Sequence, residues 1–360
     1  MEIIKFFIWL WIPKLQRFAK TFSVDKYNDM TNRATLKNIA EMLQISISTV
    51  SRALKDHPDI AKETKRKVQE LAEVMDYEPN AFAVYLRTQQ SKVLGLIVPE
   101  ISNFFYHSFV AAVEQEARKR GFSMLILQSG NAPSIEEANL KLCKLNRVAG
   151  IFVALTSETN DISVFKRIMV SGIPIVFFDK VPDDSNCIKV TMADTDVGKI
   201  AAKTIHQKKK KHVLALFGNP NMSITRKRKQ GFVNELKRLS PLIEVSTATA
   251  NNTDEAKTLA LEKLTSNKKI DTVFCMSDEI LTGVIMAINQ LKLNMPTEIA
   301  VLAVSNGFIP KLTNPSITYI ETSGAVLGKR AMNTFMEVLE KGISKKNELI
   351  NSKLIEGGSI

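Results

Sequence analysis

At 360 residues the chain is too long for one small domain and supports two or three compact units. Its formal net charge of +12 fits a polyanionic partner, since each phosphate neutralised by Lys or Arg releases counterions, but charge alone does not separate DNA from RNA or a membrane surface. The three cysteines, Cys143, Cys187 and Cys275, lack metal-ligand spacing and lie in apolar segments, so they read as reduced core thiols of a cytosolic protein.

The first apolar run, Ile3 to Ile12, is about half the length of a membrane-spanning helix, contains Lys5 and is followed by no small-residue cleavage site. From Thr35 the pattern becomes helical. Thr35 is placed as an N-cap, with Leu36, Ile39, Ala40 and Leu43 on one face and an end near Gln44. After a short turn, Ser46 caps a second helix whose inward stripe is Val50, Ala53 and Leu54. Its other face carries Ile47, Ser48, Thr49, Ser51 and Arg52. Small side chains that allow close approach to base edges, hydroxyls for phosphates and one guanidinium able to bridge O6 and N7 of guanine suit a recognition helix in the major groove. A plain three-helix bundle with a solvated face is the alternative. A third helix, near Lys62 to Met75, places Val68, Leu71, Ala72 and Met75 in one stripe; Ala61 stands at its cap position, with Asp59 as a substitute. Pro79 and Asn80 then open a segment of about eight residues, too short to be a stable helix alone and suited to folding on DNA.

From Val93 short apolar runs alternate with amphipathic stretches, as in a parallel α/β sheet. Strands are expected at Val93, Ser123, Val148 and Ile173, and a second set at His212, Ile243, Asp271 and Glu298. Two such sets imply two lobes with a ligand cleft outside the carboxyl ends of the strands. The Lys208 to Lys211 run reads as a solvated loop. There is no phosphate-binding glycine loop, no H-E-x-x-H and no G-x-S-x-G, and His57, His107, His206 and His212 share no motif, so binding is favoured over catalysis and no cofactor is expected.

The stretch Thr35 to Leu86 resembles the DNA-binding headpiece of the LacI/GalR family of bacterial transcription factors, with ISISTVSRAL at Ile45 to Leu54 similar to its recognition helix and YEPNAFAVYL at Tyr77 to Leu86 similar to its hinge helix. The resemblance continues to about Ile360. It implies that Ile47 and Ser48 read bases with Arg52 as a third contact, and that Leu86 is the minor-groove wedge of a dimer on a palindromic site. It also implies a core shaped like periplasmic sugar-binding proteins. There PEISNFFYHSF, Pro99 to Phe109, brings Phe104 and Tyr106 to the ligand, with Asp179, Arg226, Asp278 of MSDEILTG, and Thr322 at further cleft positions. Ser305 and Asn306 depart from the family's usual aspartate at that place and remove a strong acceptor. For Arg226 a cleft role is preferred, with membership of the solvated RKRK face as the alternative; for Asp278 the alternative is a helix N-cap.

The implied fold is α/β: a helix-turn-helix headpiece followed by a two-lobed, periplasmic-binding-protein-like core with parallel sheets. Residues 1–29 are expected to be an over-extended gene start or a disordered tail, because Met30 lies five residues before Thr35; a membrane anchor is the minor alternative. The headpiece is placed at 33–78, the hinge and linker at 79–92 and the core at 93–360. The first lobe takes about 93–191 and 323–343, the second about 192–322 and 344–360. The expected protein is a cytoplasmic homodimer, without the extra helix that makes some relatives tetramers. It binds double-stranded operator DNA and a small-molecule effector (a sugar, sugar acid or sugar phosphate), and represses genes for carbohydrate uptake or catabolism. A ligand-independent regulator and a solute-binding protein are the other readings.

Overall fold

The computed structural model describes residues 35–77, 91–344 and 346–360. The chain divides into two compact units, residues 1–90 and 91–360.

In the first unit, α1 (Leu36–Leu43) starts where the Thr35 hydroxyl accepts the Asn38 amide and ends at Gln44 in the left-handed conformation. The chain turns directly into α2 (Ile47–Ala53), capped by Ser46, which accepts the Thr49 amide at 3.1 Å. The third helix, α3 (Lys62–Val74), has Ala61 at its cap without a side-chain bond. Asp59 does not substitute there; it lies beside His57 Nδ1 at 3.4 Å. Ile39, Val50, Ala53, Val68 and Leu71 bury completely or nearly so and close a small core. These are the inward positions of the three amphipathic patterns.

The second unit has two lobes, each built on a six-stranded sheet. The first lobe runs β1 (Val93–Val98), α4 (Phe104–Lys119), β2 (Ser123–Gln128), α5 (Pro133–Leu145), β3 (Gly150–Val153), α6 (Ser163–Val170), β4 (Ile175–Phe178) and β5 (Ile188–Met192). The second runs α7 (Asp194–Gln207), β6 (His212–Phe217), α8 (Ser223–Leu239), β7 (Glu244–Thr249), α9 (Thr253–Ser266), β8 (Thr272–Cys275), α10 (Asp278–Leu291), β9 (Ala300–Ser305) and β10 (Thr318–Glu321). The chain then returns through α11 (Gly324–Lys341) and β11 (Lys346–Ile350) to the first lobe, and through β12 (Lys353–Ile355) to the second.

The first sheet, ordered β11-β5-β4-β3-β1-β2, is parallel throughout; the second, β12-β10-β9-β8-β6-β7, is parallel except for β12 against β10. Inner strands such as β3, β4 and β8 are buried along their whole length, as expected where helices cover both faces. One boundary differs from the sequence reading. Lys346–Ile350 pairs with Ile188–Met192, so β11 belongs to the first lobe, and the second lobe resumes only after residue 350. The chain therefore passes between lobes three times, at 192–194, 321–324 and 350–353.

Cys143, Cys187 and Cys275 are free and buried. Burial pushes the Cys143 thiol up to about 12, which leaves it an unreactive core group. Lys208 to Lys211 is mostly exposed in the connection between α7 and β6.

Candidate functional sites on the headpiece and in the cleft

The outward face of α2 is polar and open. Ile47, Ser48 and Arg52 are exposed, while Thr49 and Ser51 are half-buried. The Ser46 hydroxyl sits 2.7 Å from that of Ser48 and 2.8 Å from that of Thr49, so three hydroxyls cluster at the start of this helix. Arg52 is exposed, and its guanidinium makes no ion pair or side-chain hydrogen bond among the described residues. By contrast Arg66, on α3, is held by Glu63 and Glu70, and Lys65 by Asp56 at 2.7 Å. Exposed Thr35 spends its hydroxyl on Asn38, at the cap of α1. Asn80 and Leu86 lie outside the described residues.

A cavity of about 850 Å³ opens between the lobes, at the carboxyl ends of the strands, and receives Phe104, Tyr106, Asp179, Arg228, Asp278 and Thr322. Asp179 follows β4 in a left-handed conformation, φ 53°, that turns its carboxylate toward α4. There it accepts the Tyr106 hydroxyl at 2.7 Å, and the phenol is 3% exposed. Burial, then the charges of Asp179 and Glu279, push the Tyr106 phenol well above its ordinary value, so it stays a donor.

Asp278 is the first residue of α10, but the cap is Ser277, whose hydroxyl accepts the Ile280 amide. The N-cap alternative for Asp278 therefore falls. Its carboxylate instead accepts the Ser305 hydroxyl and the Asn306 amide, the latter at 3.0 Å. Burial raises its pKa.

Three expected effector contacts require correction. Arg226 does not line this cavity; it is half-exposed and pairs with Asp183 at 2.6 Å on the rim of an adjoining polar pocket that shares Ser157, Lys180 and Met222 with the cavity wall. The cleft arginine is Arg228, two residues on, which is 5% exposed and was missed. Two helical residues are about 200° of turn, enough to exchange the solvent face for the cleft face. The spacing that signals it is Ile224, Thr225, Arg228, Phe232 and Glu235, the buried stripe of α8. Ser305 and Asn306 also lie outside the cavity lining. Ser305 is buried and holds Asp278, while Asn306 bridges the lobes: its side-chain amide donates to the Phe104 carbonyl at 3.1 Å and its oxygen accepts the Gly324 amide at 3.4 Å. Phe104 lines the cavity and stacks on Phe308 of the other lobe, ring centroids 4.4 Å apart. Thr322 lines the cavity, 5% exposed, and donates back to the Ser305 carbonyl.

Arg228 is fixed by close packing of α7 on α8. A Cβ on Gly198 would lie 2.2 Å from the Arg228 carbonyl, and one on Gly231 would lie 2.1 Å from the Thr195 carbonyl. Two bare backbones thus meet and set the guanidinium against Asp194, Nε to Oδ1 2.9 Å, with Nη1 donating to the Met276 carbonyl at 2.9 Å. Asp194 is nonetheless pushed up to about 6, because its burial outweighs the attraction of Arg228.

Residues 35–80 match the model of bacterial regulatory proteins of the lacI family, and residues 91–356 match that of periplasmic binding proteins and the sugar-binding domain of the LacI family. The chain is 25% identical to the HTH-type transcriptional repressor PurR of Glaesserella parasuis, over 90% of this chain and 95% of that protein. It is 26% identical to the ribose operon repressor of Haemophilus influenzae, over 84% of this chain and 91% of that one. Among solved structures, a Lac repressor dimer bound to operator and an anti-inducer shares the fold with a TM-score of 0.81 at 18% identity, covering 91% of this chain and 99% of that one. A CelR–cellobiose complex follows it at 0.67 and 18%, over 91% of this chain and all of that one. No helix of the described residues is long and apolar enough to cross a membrane.

Proposed function

The chain belongs to the LacI family of bacterial regulatory proteins, and from that premise we propose that it is a ligand-responsive repressor of carbohydrate uptake or catabolism genes that binds a palindromic operator as a homodimer in the cytoplasm. Its relatives are DNA-binding transcriptional repressors, not enzymes. The reading rests on one observation: a single chain pairs an open helix-turn-helix face, with Ile47, Ser48 and an uncommitted Arg52, with a cleft of about 850 Å³ between two lobes. The recognition helix supplies base readout through Ile47, Ser48 and Arg52, and Thr35, Ser46, Thr49 and Ser51 hold the backbone. Asn80 and Leu86 are assigned to the same interface on the resemblance alone. A small molecule held by Tyr106, Asp179, Arg228 and Asp278 sets how far the lobes close, and a coupling of about 1–3 kcal/mol to DNA binding suffices to move affinity by one or two decades.

The test is selection of random duplex DNA by the purified full chain beside its Arg52→Ala variant. A palindromic consensus for the parent, weakened about tenfold or more at one guanine position in the variant, is the expected result. The same consensus at equal strength from both would remove Arg52 from base readout, and no consensus from either would sink the operator reading.

A further inference from the structure

We propose that the cleft ligand carries an amine: a polyhydroxylated cation rather than a sugar acid or sugar phosphate. The inference deepens the effector-cleft reading and rests on it. Among the described residues the cavity is lined by six carboxylates, Glu100, Glu158, Asp179, Asp254, Asp278 and Glu279, against two cations, Lys180 and Arg228. The chain as a whole carries +12, so this negative surplus is a local property of the cleft.

Neither cation forms a hydrogen bond or ion pair with the inner carboxylates, although Arg228 attracts Asp278 at longer range. Arg228 is committed to Asp194, and Lys180 lies over the Tyr106 ring, 5.8 Å from its centroid. Neutral groups serve the acids instead: the Tyr106 phenol on Asp179, the Asn103 amide on Glu279, the Ser305 hydroxyl and the Asn306 amide on Asp278. Such donors satisfy lone pairs without neutralising charge, the attraction of Arg228 offsets only part of the cost at Asp278, and mutual repulsion grows as closure excludes water. Their proximity is visible in the electrostatics, where Glu279 raises Asp278 and Asp179 raises Asp194. A neutral sugar donates hydroxyl hydrogen bonds to these carboxylates without relieving the repulsion, an anion adds to it, and an ammonium removes it.

A metal ion is the other available cation, but among the described residues no three His, Cys, Asp or Glu groups stand close enough to share one. The charges are spread for a larger ligand. A second observation points to a ligand in the same place. Thr225, 1% exposed and part of the cavity wall, has a hydroxyl oxygen with no hydrogen-bond partner. It lies one helical turn before Arg228 on α8, and a ligand hydroxyl seated there would supply the missing partner.

The experiment is isothermal titration of the full chain with the 2-amino, parent, 1-carboxylate and 6-phosphate forms of glucose, galactose and mannose, repeated with Glu279→Gln and Thr225→Val. We expect one amine form to bind at least about tenfold more tightly than its neutral parent, with no measurable binding of the phosphates. Glu279→Gln should weaken the amine form more than its neutral parent, so that most of that advantage is lost, while Thr225→Val should weaken both severalfold. If a carboxylate or phosphate binds more tightly than its parent, or no amine form exceeds its parent, the charge inference is overturned. In that event, sensitivity of any binding to Thr225→Val keeps the cleft as the effector site. Binding indifferent to both substitutions would instead remove the ligand from the cleft altogether.

Discussion

Asp194 shows how a residue can be kept where it costs stability. Its carboxyl is almost fully buried, and its pKa rises from the ordinary 3.8 to about 6 despite the Arg228 guanidinium 2.9 Å away. The folded protein therefore holds a proton there that the unfolded chain has lost. Stability from this group is greatest below pH 4 and declines as pH rises through 6, by about 3 kcal/mol. Denaturant midpoints measured from pH 4 to 7 should fall more steeply for the parent than for Asp194→Asn, and parallel curves would refute the assignment. Carboxylates held low by cations, such as Glu116 at about 2, act in the opposite sense but are present in both proteins. The site's residues were legible unevenly. Tyr106, Asp179 and Asp278 were reached through the family resemblance of the motifs around them, whereas Arg228 was hidden inside a basic run whose solvated member, Arg226, drew attention first. Reading the buried stripe of α8 would have separated them, because Phe232 and Gly231 fix which face points inward.

Among elements, the contact of α7 with α8 is the tightest support of the cleft. Gly231→Ala would drive a methyl to 2.1 Å from the Thr195 carbonyl, a backbone atom that cannot rotate away. The helices must separate, at a cost of about 2–3 kcal/mol or more in urea unfolding, and Arg228 must shift with them. A loss below about 0.5 kcal/mol would mean the two helices are not held as described. Helices α1 and α2 were legible to the residue because caps are local chemistry: Thr35 and Ser46 announce their starts. The strands at β1 to β4 and β6 to β9 were visible as apolar runs. Strands β5, β10, β11 and β12 were not. Lys189 interrupts β5 although it is 9% exposed in a buried strand, and β11 half-buries Lys346 and Glu348 while exposing Leu349, at a sheet edge. Strands β10 and β12 are only 4 and 3 residues long. Such segments are strands through their neighbours, not through their own composition.

For the molecule as a whole, the cleft has a closure of its own. Phe104 stacks on Phe308, Asn103 reaches Glu279, and Asn306 spans from one lobe to the backbone of the other. Deleting the ring in Phe308→Ala removes about 0.5–1.5 kcal/mol beyond its area term, a severalfold shift toward open lobes. Hydrogen exchange should then quicken at the Gly324 amide, which Asn306 holds, and across residues 103–108. Unchanged exchange would show that these contacts do not govern opening. Under the proposed reading, an effector acts by closing or opening the lobes against this clasp.

The three passages of chain between the lobes also bear on how the protein is made. While it emerges from the ribosome, the first lobe has its strands up to Met192 early, yet it waits for α11 to cover it and for Lys346–Ile350 to complete its sheet. The second lobe waits for Lys353–Ile355. The first lobe cannot be finished until Ile350 has been synthesised, nor the second until Ile355, so a newborn chain spends most of its synthesis with unfilled sheet edges and an uncovered apolar face, the period in which it most needs chaperone protection.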